Sequence, residues 1–187
     1  MAHTFEQLNL QKVNRRALTA AFDWVSAIVV ALAVLVLIMT FVFRVVGVDG
    51  DSMEPTLQHM DRLLLSYNAE VEVGDIVVVD RYTDKPLIKR VIAVSGDQIS
   101  ITDACNVYVN GELLDEPYIQ GMTIPRDVDG TVVVPEGCIF VMGDNRTISK
   151  DSRMAEIGMI SLKDVVGKAV FCVWPPESIG SIYDNMN

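Results

Sequence analysis

The stretch "GDSMEPTL", residues 50–57, sets one serine, Ser52, between Asp51 and Met53, with Gly50 before it and Pro55 after. A serine hydroxyl attacks an amide carbonyl only when a neighbouring base takes its proton. Histidine is the usual base, backed by an acid, but this chain has only two: His3 and His59. His3 precedes a long apolar run that Ser52 follows. His59 lies among charged neighbours in "LQHMDR", which makes a Ser-His-Asp triad a weak reading.

Lysine is the other candidate. In water its amine titrates near 10.4 and is no base at neutral pH. Burial disfavours the ammonium and lowers that value. Beyond the apolar run the lysines are Lys85, Lys89, Lys150, Lys163 and Lys168. Of these, Lys89 sits inside an apolar strand pattern, "PLIKRVIAV". Period-two alternation puts Leu87, Lys89 and Val91 on one face and Ile88, Arg90 and Ile92 on the other. The pattern alone fits a base facing a half-dry site or an edge-strand lysine facing water. A third cluster, "GDNRTISKDSR" (143–153), brings two Asp, two Arg, an Asn and two Ser after the strand-like "CIFVM". It reads either as a hydrogen-bonded surface loop or as a support in which Arg146, Asp151 and Arg153 pair and Ser149 lies near a buried amine.

The elements that must carry these groups fall into two kinds. From Val25 to Phe43 there are 19 residues without a charge, and only Ser26 and Thr40 are polar. As a helix they span about 28 Å, close to the hydrocarbon thickness of a bilayer. Phe22 and Trp24 at one edge and Phe41 and Phe43 at the other suit interfacial positions. The run is too long for the apolar part of a cleavable signal. Lys12, Arg15 and Arg16 precede it and only Arg44 closely follows, which predicts a cytoplasmic N-terminus. The chain thus divides into a cytoplasmic segment 1–21, a transmembrane helix 22–44 and an extracytoplasmic domain 45–187. The last carries 11 Lys and Arg against 23 Asp and Glu, a net of −12. That balance argues against a nucleic-acid partner and against tight docking on anionic lipid.

After residue 44 the texture is short, β-branched and bounded by Gly, Asp, Asn and Pro. "RLLLSY", "DIVVVDRY", "LIKRVIAVSG", "QISIT", "NVYVNGELL", "TVVVPEG", "CIFVMGDN" and "DVVGKAVFCVW" all predict strands. Asn110-Gly111 predicts a hairpin. The pairs Gly74-Asp75, Gly96-Asp97 and Gly143-Asp144 read as turns, and residues 115–130 as a long loop or flap. The fold class is mostly β, a barrel-like or two-sheet catalytic domain behind one N-terminal helix. Cys105, Cys138 and Cys172 are far apart and show no metal-ligand spacing; small buried side chains are the expected role, with a disulfide left open.

"GDSMEPTL", "LIKRVIAVSGDQI" and "GDNRTISKDSR", in this order behind one span, resemble bacterial type I signal peptidase (leader peptidase) in its short, Gram-positive-like form. The resemblance covers the span and nearly all of the external domain. It implies that Ser52 is the nucleophile and Lys89 the general base. It makes Ser149 the serine bonded to the lysine, Asp151 and Arg153 a structural ion pair, and Asp144 and Arg146 members of the same supporting loop. Met53 and Pro55 shape the nucleophile turn. The Ser52 N–H is one oxyanion donor. Gly50 stands where some relatives place a second, hydroxyl donor, and Leu87 where many have an aromatic residue. The implied partners are preprotein signal peptides, the lipid bilayer and, as a further possibility, the export machinery, with no cofactor and no metal. Three rivals stand beside this reading: a self-cleaving Ser-Lys repressor, a specialised peptidase of pilus or sortase assembly, and a non-enzymatic membrane-anchored β module. The last predicts Ser52 and Lys89 far apart.

Overall fold

A computed structural model describes the backbone of residues 2–41, 43–67, 69–80 and 82–183, and most side chains from Thr19 onward. The chain forms two units, Met1–Val42 and Phe43–Asn187. The first is one helix, α1 (Ala2–Phe41). Within it Thr19–Ile38 is long and apolar enough to cross a membrane, and its described side chains are exposed. His3 and the basic residues Lys12, Arg15 and Arg16 lie outside the described side chains. Phe43 and Arg44 already belong to a strand, β1 (Phe43–Gly47).

The second unit holds the remaining strands: β2 (Arg62–Ser66), β3 (Ile76–Val79), β4 (Leu87–Val94), β5 (Gln98–Ile101), β6 (Val107–Val109), β7 (Glu112–Leu113), β8 (Thr131–Val133), β9 (Cys138–Met142), β10 (Ile160–Ser161) and β11 (Val165–Trp174). They make a seven-stranded sheet ordered β1-β2-β11-β3-β4-β9-β10 and a four-stranded sheet ordered β7-β6-β5-β8. All the strand-like stretches of the sequence appear, and the architecture is the mostly β, two-sheet one expected. The first two residues of β1, Phe43 and Arg44, fall in the 22–44 segment expected to be helical, and the two-residue β10 is too short to show a period.

Asn110 (φ 55°) and Gly111 (φ 83°) turn the β6–β7 hairpin, as their sequence predicts. Gly74 (φ 93°) and Gly96 (φ 92°) are also turn residues, and Asp75 and Asp97 accept the Glu72 and Val94 N–H groups at 2.8 Å. Gly143 differs: its φ is not in the left-handed region, and space is its reason. A Cβ there would come within 2.4 Å of the Ser52 carbonyl oxygen and 2.3 Å of Ser149 Oγ.

β4 is the strand that matters most. It lies between β3 and β9, and both of its faces are covered. One face packs Ile92 with Ile99, Phe140 and Met142, while Val91 packs with Val77, Ile139 and Val141 on another side. Lys89 and Arg90 are therefore carried into the interior by a strand that has no open edge. The nucleophile turn is anchored similarly. Met53 and Leu57 are buried among Leu63, Leu65, Ile76 and Val78, which leaves Ser52 half-buried above them. Pro55 is exposed and its bond to Glu54 is cis. The three cysteines are free thiols, with Cys172 buried and Cys105 and Cys138 half-buried.

Candidate active site

Ser52 and Lys89 come from different elements, the turn after β1 and the first half of β4, and meet with Lys89 Nζ 2.7 Å from Ser52 Oγ. That distance is the opposite of what a non-enzymatic module predicts. Lys89 is 2% exposed, and its amine also donates to the Ile88 carbonyl at 2.8 Å. Burial is the main cause that lowers its pKa from 10.5 to about 8; the Asp151 and Asp144 carboxylates pull it back up, and Arg153 pushes it down. At pH 7 about a tenth of such amines are neutral. His59 does not reach the hydroxyl. Its Nδ1 accepts the Gly50 N–H at 3.1 Å, so that N–H is engaged away from Ser52. Among the described residues no acceptor engages the Ser52 N–H.

Behind the pair, the 143–153 loop is held by buried charges. Asp151 takes Arg153 in a two-point pair, Nε to Oδ1 at 2.8 Å and Nη2 to Oδ2 at 2.9 Å, and accepts the Gly143 N–H at 3.1 Å. Burial raises the Asp151 carboxyl, but Arg153 outweighs it, and Ser149 and Gly143 add to the lowering, so it stays below the usual range. Ser149 is fully buried, yet its Oγ forms no hydrogen bond of ordinary geometry. The expected bond to the lysine is thus not made in this arrangement. The loop reaches Ser52 through its backbone instead, since Asn145 N–H donates to the Ser52 carbonyl at 3.1 Å.

Arg146 and Asp144 are not partners of one another. Asp144 takes Arg90, Nε to Oδ1 at 2.9 Å and Nη2 to Oδ2 at 2.6 Å, and Thr56 Oγ1 donates to the same carboxylate at 2.5 Å. This ties the strand that carries Lys89 and the turn that carries Ser52 to one carboxylate. Arg146 instead pairs with both oxygens of Glu116 and donates to Thr123 at 2.6 Å. The 115–130 segment is therefore a strap, not a free flap. Tyr118 closes it: its ring lies 3.9 Å from the Arg90 guanidinium carbon and its hydroxyl donates to Glu116 at 3.2 Å. Burial pushes that hydroxyl's pKa well up, which keeps it a donor.

Arg90, Thr56, Glu116, Tyr118 and Thr123 carried no role in the sequence reading. One signal was available for Arg90: a buried strand that holds two adjacent cations must find each of them a partner. Nothing local pointed to Glu116, thirty residues from Arg146.

A cleft of about 190 Å³ opens beside Ser52, walled by Val46–Gly50 on one side and Lys85–Lys89 on the other. Its depth is apolar, from Val46, Val48, Met53, Leu87 and Ile88. Among the described residues no group of His, Cys, Asp and Glu is arranged to hold a metal ion.

Comparison with known proteins places these features in context. Residues 21–174 match the family model described as "Signal peptidase, peptidase S26". Signal peptidase I of Bacillus licheniformis is 38% identical over 172 residues, covering 84% of this chain and 91% of that protein. Signal peptidase I S of Bacillus subtilis is 37% identical over 166 residues, covering 82% and 89%. Signal peptidase IB of Staphylococcus aureus is 32% identical over 173 residues, again covering 82% and 89%.

Proposed function

The chain belongs to the peptidase S26 family and is a signal peptidase I hydrolase, and from that premise we propose that it cleaves signal peptides from exported preproteins with a Ser52–Lys89 dyad. The observation that carries this reading is the 2.7 Å approach of a 2% exposed amine to the Ser52 hydroxyl. Neutral Lys89 takes the Ser52 proton as Oγ attacks the scissile carbonyl. The tetrahedral oxyanion forms against the Ser52 N–H, a contact of a kind worth about 3–4 kcal/mol. Lys89 then protonates the leaving amine. In the second half neutral Lys89 takes a proton from water as that water attacks the Ser52 ester, the C–Oγ bond breaks with the proton returned from Lys89 to Oγ, and the signal peptide leaves with its new carboxylate. Ser149, Asp151 and Arg153 hold the pocket around the amine, and Asp144 and Arg146 fix the loop from behind. Gly50 contributes shape and no oxyanion donor, since His59 takes its N–H.

The shallow apolar cleft suits small side chains at −1 and −3, with the substrate lying extended between its walls as an added strand. Residues 22–41 of the helix anchor the enzyme, with residues 1–21 cytoplasmic and the β unit from Phe43 onward extracytoplasmic. The nine residue-to-residue steps from Phe43 to Ser52 reach about 30 Å at most, which keeps the nucleophile near the outer face. Val45, Leu64 and Phe171 share one face across the register of β1, β2 and β11, with Trp174 further along β11. Val45 (52%) and Trp174 (52%) are exposed, an apolar patch of the sort that dips into lipid.

A preprotein cleavage assay tests the reading. Ser52→Ala and Lys89→Ala should each abolish cleavage while circular dichroism shows the fold intact. Lys89→Arg should be inactive as well, because a guanidinium keeps its proton. Cleavage by a folded Ser52→Ala variant would overturn the dyad.

A further inference from the structure

The dyad does not use two charged residues that stand on opposite walls of the cleft. Asp49 is on the 46–50 wall and Lys85 on the 85–89 wall, and Lys85 Nζ lies 2.5 Å from Asp49 Oδ2. The pair therefore crosses the mouth of the cleft. Both side chains are largely solvent-exposed, 76% for Lys85 and 59% for Asp49. Beside Asp49 on the first wall, Val48 is buried while Asp49 itself is exposed. His59 lies behind Asp49, with Nδ1 3.8 Å from Oδ1.

An extended peptide between these walls alternates too. With its −1 and −3 side chains in the apolar depth, its −2 side chain points out of the mouth, toward Asp49 and Lys85. An exposed ion pair is weakly held, so an incoming charge can displace one partner and take the other. We propose that Asp49 and Lys85 are specificity-determining residues that read the charge of the substrate side chain at −2. This rests on the proposed cleavage after small residues at −1 and −3. An acidic −2 side chain pairs with Lys85 and a basic one with Asp49, so the intact rim accepts both. Removing either member leaves a rim of one sign.

The test uses full-length enzyme in detergent and three signal-peptide substrates that differ only in Glu, Gln or Lys at −2. The reading is the ratio of kcat/KM for the Glu substrate over the Lys substrate. Wild type should give a ratio near one. Asp49→Asn should raise it and Lys85→Met should lower it, each by about two- to five-fold, the range of exposed charge pairs. The double variant should return it toward one, and 0.5 M salt should flatten all the shifts. Shifts of the same sign in both single variants, or no shift in either, would overturn the rim. If wild type cleaves none of the three substrates, the peptidase reading and the rim fall together. Cleavage with unshifted ratios sinks the rim alone.

Discussion

The Lys89 amine puts catalysis and stability in opposition. Its charged form is disfavoured by burial, so its pKa is lowered from 10.5 to about 8. Cleavage should therefore rise as pH passes through about 8 and level off above it; a profile flat down to pH 5 would contradict a titrating amine. The stability consequence has a definite sign. Between pH 8 and 10.5 the unfolded chain holds the lysine proton and the folded chain has lost it, so folding becomes easier as pH rises there. Below pH 8 the folded protein carries the full cost of a buried ammonium, about 3 kcal/mol for that gap. Lys89→Met keeps the volume and removes the charge. It should raise the midpoint of denaturant unfolding at pH 7, with an advantage that shrinks above pH 8. A Met variant less stable at every pH would mean that the amine is well solvated by its carboxylate neighbours. Gly143 is the other single position on which the site depends. Gly143→Ala places a methyl within 2.4 Å of the Ser52 carbonyl oxygen. A displacement of about 1 Å at reacting groups costs on the order of 100-fold, so kcat should fall by about that much.

β4 and the two segments beside it act as one support. Arg90 and Lys89 are neighbours on the same strand, and Arg90 is bound to Asp144, so the loop and the strand move together. The strap over residues 115–130 closes the arrangement through Glu116 and Tyr118. Arg146 is buried, and losing its carboxylate leaves an uncompensated internal charge, a change worth about 3–5 kcal/mol. Glu116→Ala should accordingly lower the urea midpoint sharply and reduce activity through the displaced loop. Glu112→Ala, on the exposed hairpin strand β7, should stay within about 0.5 kcal/mol of wild type. Equal effects of the two substitutions would show that the strap is not a structural member. Two features of these elements were legible in the sequence: the strands, because their residues alternate or branch at Cβ, and the hairpin at Asn110-Gly111. The strap was not, because a run such as "DEPYIQGMTIP" has no period, and its partners Arg90 and Arg146 lie far from it in the chain, one before and one after.

In the whole molecule, an acidic β unit follows an apolar helix. Its charge, −12 over residues 45–187, gives no general attraction to anionic headgroups, so the lipid contact proposed above would rest on the exposed apolar side chains of β1 and β11. A form lacking residues 1–41 keeps β1 whole, including the Phe43–Ser66 pairing. Its activity should still rise several-fold with added detergent or lipid, and Trp174→Ser should reduce that response. Activity indifferent to both additives would count against the patch. A cut at residue 44 is a poorer test, because it removes two residues that pair with β2.

Much of this protein was set by local chemistry. The apolar run, the strand alternation, the hairpin and the three short motifs each depend on residues close together in the chain. A lysine within an apolar strand marked Lys89 as a candidate base for Ser52, although that pattern alone also fits an edge-strand lysine facing water. Partnership was decided only by tertiary structure. Asp144 takes Arg90 and not Arg146, Arg146 takes Glu116, the Ser149 hydroxyl makes no hydrogen bond of ordinary geometry, and Gly143 is glycine because two segments meet there. Such pairings depend on which strands become neighbours, and a buried charge accepts whichever partner the sheet order brings within reach.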